Sequence, residues 1–224
     1  MTIIRDTDQT CPVCGKQSSQ KKIYSIYIGG YADLDFRQSS LDIDIIEQVW
    51  LMECPECRYV GQYLSRETEI PIDFLKSDAY KSCEGHEFKV HHAEKFYRRY
   101  MIERELNSPA GCFLNLHHCA WACDDYEDEN AVEIRKMALG YIDNLVTVDF
   151  EDEVYLTIVK ADMLRRTGQF DKVIDEFSDV VFGDDGYDTC LQFHLAKARQ
   201  KDAERYNFGH ALEEFSKVKD LGPY

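Results

Sequence analysis

Two short segments constrain this chain more than anything else in it: Cys11-Pro12-Val13-Cys14-Gly15 and Cys54-Pro55-Glu56-Cys57. Two residues between cysteines let both thiolates face one point from a tight turn, and the proline pre-sets the backbone. A glycine after the pair gives the chain freedom to turn away beneath the metal. Two such corners supply four thiolates, the ligand set of a closed tetrahedral zinc site with no open position for water. Cys11, Cys14, Cys54 and Cys57 are therefore expected to hold one structural Zn2+. The 39 residues between Cys14 and Cys54 exceed the roughly 15–20 usual between such pairs. The expectation is a zinc ribbon with an enlarged hairpin, carrying Arg58 where a knuckle often has glycine.

The rest of the cysteine usage agrees with metal rather than disulfide chemistry. There are nine cysteines, an odd count that excludes a complete intramolecular disulfide framework. The first ten residues contain Arg5, Asp6 and Asp8 and no apolar run, so no signal peptide is expected. No stretch approaches the roughly 20 apolar residues of a membrane span. A reducing, cytoplasmic setting is expected, where clustered cysteines more often mean metal.

Hydrophobic residues make up 44% of the 224 and aromatics 12%, which is enough for a real core and excludes a disordered chain. The 26 basic residues face 42 acidic ones, a net charge of −16. Such a charge repels nucleic acid and anionic membrane by default. Residues 108–224 hold 12 basic and 24 acidic side chains, against 7 and 11 in residues 1–70, so most of the acidity lies in the C-terminal half.

Residues 1–65 are rich in strand formers, with strands expected at 23–28, ended by Gly29-Gly30, and at 49–52. Residues 66–88 read as a connector containing a short helix at 72–81. From 89 onward the apolar period becomes helical, with helices expected over 90–106, 111–124, 131–145, 153–167, 171–182, 189–206 and 210–219. The fold class is thus α+β, a small β zinc ribbon (1–65) ahead of an all-α domain (89–224).

The helical part contains an internal repeat. Phe170, Val173, Ile174, Glu176 and Phe177 recur as Phe208, Ala211, Leu212, Glu214 and Phe215, 38 residues on. The tetratricopeptide unit has 34 residues, so the pattern suggests that unit with longer helices or loops. Ala161, Leu164 and Gly168 suit its upstream half. Arg199 and Asp202 suit the second upstream half poorly.

For the other chemistry-bearing residues, packing competes with chemistry. Cys112, Cys119 and Cys123 share one helical face, and His118 is near. They read as small hydrophobes on a buried stripe, with a second metal site or reactive thiol as the alternative. Cys83-Glu84-Gly85-His86 is half a site, and Cys190 reads as core. His86 to His91 fails the zincin pattern because the fourth position after His86 is Val90. Asp33 and Asp35 lack the glycine and glutamate of a calcium loop. Lys95, Arg98, Arg99 and Arg104 alternate with Glu94, Glu103 and Glu105, as on a solvated face.

Cys11-Pro-Val-Cys14-Gly, Asp33-Leu-Asp35-Phe36-Arg37 and Val49-Trp50-Leu-Met-Glu-Cys54-Pro-Glu-Cys57-Arg-Tyr59 together resemble an uncharacterised bacterial family, a domain of unknown function. In it a two-knuckle zinc ribbon precedes tetratricopeptide-like helices. The resemblance implies that architecture and supplies no activity. The expected function is a non-enzymatic zinc-binding scaffold whose helical repeats bind a protein or peptide, a basic one if charge selects it. The alternatives are a nucleic-acid-associated regulatory ribbon and, behind it, a metal- or thiol-dependent enzyme.

Overall fold

The computed structural model describes residues 1–145, 147 and 150–219. The end of the expected 89–224 helical region, 220–224, lies outside them. The chain forms two compact units, Met1–Tyr27 with Leu41–Asn144, and Ile28–Ser40 with Leu145–Tyr224. Among the described residues no helix is long and apolar enough to cross a membrane.

The first unit opens with strands β1 (Ile3–Thr10) and β2 (Gln17–Ser25), paired antiparallel from Thr10↔Gln17 to Ile3↔Ser25. Helix α1 (Ile43–Trp50) follows. Next come β3 (Met52–Glu53) and β4 (Val60–Gly61), a second and very short hairpin. Two short helices, α2 (Ile72–Lys76) and α3 (Asp78–Lys81), lead to three long ones. These are α4 (His91–Glu105), α5 (Pro109–Asp125) and α6 (Asn130–Ile142), each packed on the next. Asn107 takes a left-handed conformation, φ 54°, and the Ser108 hydroxyl then accepts the Gly111 N–H at 3.3 Å to start α5. The proline sits in the first turn of α5, where its missing N–H costs no helical bond.

Two strand expectations change. The strand expected at 23–28 begins at Gln17 and stops at Ser25, and the residues expected as a strand at 49–52 include the end of α1. Val49 and Trp50 favour strands in isolation. Over the longer window Ile43, Ile46, Glu47 and Trp50 recur at helical spacing, and Ile46 and Glu47 are buried. The decisive group is remote. The Lys95 ammonium, only 8% exposed, donates to the carbonyls of Gln48 (2.5 Å) and Leu51 (2.7 Å) at the helix end. A cation there satisfies the orphan carbonyls and opposes the helix dipole.

The second unit contains α7 (Phe150–Arg166), α8 (Phe170–Phe177), α9 (Asp185–Arg199) and α10 (Phe208–Lys219). Helix α7 packs on α8 and α9, and α9 also packs on α8 and α10. Its core gathers Val154, Ile158, Cys190, Phe193 and Ala211 around Leu34, which comes from the 28–40 segment. That segment is tied down by Leu34 N–H to Tyr206 O (3.0 Å) and Phe208 N–H to Ala32 O (2.9 Å). Phe170 and Phe208, 38 residues apart, each begin a helix, and Val173 and Ala211 are both buried. The upstream mismatch has a cause: α7 and α8 are joined by 167–169, whereas α9 and α10 are joined by the longer 200–207.

Candidate metal centre

Each knuckle is the loop of a hairpin. In the first, Cys11 N–H donates to Lys16 O (2.8 Å) and Gly15 N–H to Cys11 O (3.0 Å). In the second, Cys54 N–H donates to Tyr59 O (2.9 Å) and Arg58 N–H to Cys54 O (3.0 Å). The two loops use the same bonds at the same spacing. Gly15 has φ +74° and Arg58 has φ 62°, so Arg58 stands at the glycine position and adopts the glycine conformation. A non-glycine residue there costs of the order of 1 kcal/mol. Fixed contacts hold it: the Tyr80 hydroxyl donates to Arg58 O at 2.7 Å, and the guanidinium meets Glu53 at 2.5 Å.

The loops bring four thiols together. The sulfurs of Cys11, Cys14, Cys54 and Cys57 all lie within 4.8 Å of one another. Contacts between the knuckles are 3.6 Å for Cys11–Cys57 and 3.5 Å for Cys14–Cys54. Tetrahedral thiolates at the usual zinc–sulfur length of about 2.3 Å stand about 3.8 Å apart, so both donor type and spacing fit that ion. Burial, foremost, pushes the Cys11 and Cys57 thiols up. At Cys14 burial also raises the pKa, but the Lys16 N–H and the neighbouring thiols outweigh it and the net shift is downward. With their protons on, the four sulfurs have only weak hydrogen bonds to offer one another. A divalent cation would replace those protons, so binding releases protons and strengthens with pH.

Around the second knuckle sits a charged cluster that the sequence pattern hides. Glu53 meets Arg58, Arg98 (3.0 Å) and His91 (2.7 Å), while Glu94 meets Arg98 (2.6 Å) and His91 (3.0 Å). Hydrogen bonds to Glu53 and Glu94 raise the His91 pKa to about 9. This cluster fastens the residue before Cys54 to the first turns of α4. Lys95, Arg98, Arg99 and Arg104 do not form the single solvated face expected of them, since Lys95 and Arg98 are buried. Arg99 pairs with Glu103, and Arg104 with Glu84. The i,i+4 pairs Glu94/Arg98 and Arg99/Glu103 are visible in the sequence. The contacts to Glu53 and to the carbonyls of α1 have no local signature.

The other sequence candidates are placed in packing. Cys119 donates to Ala93 O at 3.3 Å, and Cys112 approaches Tyr100 O at 4.0 Å. Burial raises the Cys119 thiol. The His118 ring lies edge-on to Trp50 and Phe96, with centroids 5.6 and 5.3 Å away. Cys190 is in the core of the second unit. Among the described residues, the four knuckle cysteines are the one group of three or more His, Cys, Asp or Glu side chains placed to share an ion.

No family model matches the chain, and neither a curated protein nor a solved structure matches it. Neither the family resemblance nor a tetratricopeptide identity gains support from these comparisons. What stands is the four-cysteine cluster, the small antiparallel hairpins and a mostly helical body.

Proposed function

We propose that Cys11, Cys14, Cys54 and Cys57 hold one structural Zn2+ and that the chain acts as a non-enzymatic scaffold. The convergence of four sulfurs within 4.8 Å from two hairpin loops carries this reading. An all-thiolate set fills the tetrahedron and leaves no position for substrate or activated water. The ion's role is then to join two hairpins that are marginal alone, since isolated two-stranded ribbons are barely stable in water. Replacing Zn2+ with Co2+ tests this: four thiolates give intense sulfur-to-cobalt charge-transfer absorption, which Cys54→Ser should weaken and shift. An unchanged spectrum in that variant would refute the ligand set.

The scaffold half of the proposal concerns the second unit. Its two successive helix pairs, with buried positions recurring at Val173 and Ala211, support a tetratricopeptide-like stacking unit that presents a surface to a protein or peptide. The acidity of residues 108–224 favours a basic partner. Crosslinking of the full chain to a lysine-rich peptide library should map onto α7–α10. Crosslinks confined to the first unit would oppose it.

A further inference from the structure

The β1–β2 hairpin departs from the charge of the rest of the chain. Residues 1–27 hold Arg5, Lys16, Lys21 and Lys22 against Asp6 and Asp8, a local excess of positive charge in an acidic protein. Its two faces are built differently. On one face, register partners Asp6 and Lys21 pair at 3.2 Å. On the other, Arg5 and Lys22 stand directly opposite each other. Like charges across a strand pair are destabilising, so the fold carries that arrangement at a cost.

These cations do not find carboxylates. Arg5 lies 5.4 Å from the Tyr24 ring and Lys22 lies 5.4 Å from the same ring. Lys22 also lies 4.9 Å from the Tyr63 ring, and Arg66 is 5.1 Å from it on the loop after β4. Among the described residues, Arg5, Lys22 and Arg66 form no ion pair. The sequence of contacts is therefore Arg66, Tyr63, Lys22, Tyr24, Arg5, a track of alternating cation and ring across three chain segments. Tyr24 is 56% exposed. At the Tyr63 end the track opens into a cleft of about 600 Å3 lined in part by Trp50 and His118, by Arg99 paired with Glu103, and by Glu67 and Glu69. A smaller groove of about 180 Å3, shared with Lys22 and Trp50, lies alongside.

We propose that this track is a binding surface for single-stranded nucleic acid, with Arg5, Lys22 and Arg66 taking phosphates and Tyr24, Tyr63 and Trp50 stacking bases. Single strands suit it because their bases can splay onto aromatic rings while the backbone follows a basic groove. A duplex hides its base faces and offers only charge. The overall −16 opposes any polyanion at long range, so affinity is modest and depends on close stacking. The surface is distinct from the zinc cluster and from the helical unit proposed to bind protein.

The test is fluorescence anisotropy of the intact, zinc-loaded protein with short labelled oligouridylate and oligothymidylate at low ionic strength. Binding is expected, with log K falling against log salt at a slope of about −2 for three phosphate contacts. Each of Arg5→Gln, Lys22→Gln and Arg66→Gln should reduce that slope by about 0.7. Tyr63→Leu should weaken binding about tenfold without changing the slope. Lys136→Gln, an exposed cation elsewhere, should change neither, and metal content should be the same in every variant. The proposal is overturned if the parent protein binds neither strand, or if duplex DNA or polyglutamate binds equally well. It is also overturned if the track variants bind like the parent.

Discussion

The two units solve the same problem, closing a segment that cannot stand alone, by opposite means. In the first, two ribbons of strand meet through four sulfurs, with a charged cluster of Glu53, Glu94, His91 and Arg98 on the protein side. In the second, the 28–40 and 202–208 segments close over helices by burying side chains. Leu34 enters the core, and the Arg165 guanidinium, fully buried, pairs with Asp162 at 2.8 Å. It also donates to the carbonyls of Asp202 (3.0 Å) and Glu204 (2.8 Å). The first unit should thus depend on an exchangeable ion, and the second on covalently attached charge already in place.

Stripping the metal offers the sharpest contrast. Structural zinc contributes of the order of 10 kcal/mol to small domains at neutral pH. A strong chelator, or Cys54→Ser, is expected to abolish hydrogen-exchange protection at the Cys11, Gly15, Cys54 and Arg58 amides. Amides of α9 should keep theirs. Equal loss in both units would break the comparison.

Next in size is Asp162→Ala, which strands a buried guanidinium. Breaking such a pair costs about 3–5 kcal/mol. Chemical denaturation should report that loss with zinc content unchanged, and a loss of zinc would contradict the division of labour.

Acid should then distinguish the units through two histidines shifted in opposite directions. Burial, foremost, lowers the His194 pKa to about 4, so the fold favours the neutral ring. Its contribution is complete above the unfolded value near 6.5 and is lost as pH falls toward 4, of the order of 3 kcal/mol in all. His91 is raised to about 9, so its contribution is complete below 6.5 and disappears as pH rises through 9. Its side chain is 55% exposed, and solvent screening leaves less than about 1 kcal/mol. Denaturation midpoints of His194→Gln and His91→Gln, each against the parent across pH 4–10, should show these opposite trends. Parallel trends would refute them.

The smallest effects compare the knuckles with each other. No atom lies within 4 Å of a Cβ added at Gly15, so Gly15→Ala should cost only the backbone term, about 1 kcal/mol. Arg58→Gly relieves that same term while losing the Glu53 contact, so stability should stay within about 1 kcal/mol of the parent. Thermal melts of the zinc-loaded proteins would measure both.

Much of what depended on short-range spacing was legible in the sequence, though the strands expected at 23–28 and 49–52 were not. The Cys-Pro-x-Cys turns, the existence of seven helical segments from 90 onward and the offset between Phe170 and Phe208 are all local patterns. The helices expected over 171–182 and 189–206, however, stop at Phe177 and Arg199, the latter where Lys201 turns left-handed (φ 55°) and the Asp202 N–H bonds back to Lys197 O at 3.0 Å. The end of α1 was not legible, because Lys95, far along the chain, satisfies its carbonyls. Nor was the destination of the Asp33–Arg37 element, whose partner Arg205 is 172 residues away. The sequence around Arg98 suggested solvent because alternating charges look alike whether they pair on a surface or beneath a knuckle.

The central claim is most directly tested by native mass spectrometry with elemental analysis of the chain purified without added metal. One zinc per chain, lost in Cys54→Ser and in Cys11→Ser but retained in Cys119→Ser, is the expected result. A metal-free parent that keeps its hairpins ordered, or zinc that persists without Cys11 and Cys54, would contradict it.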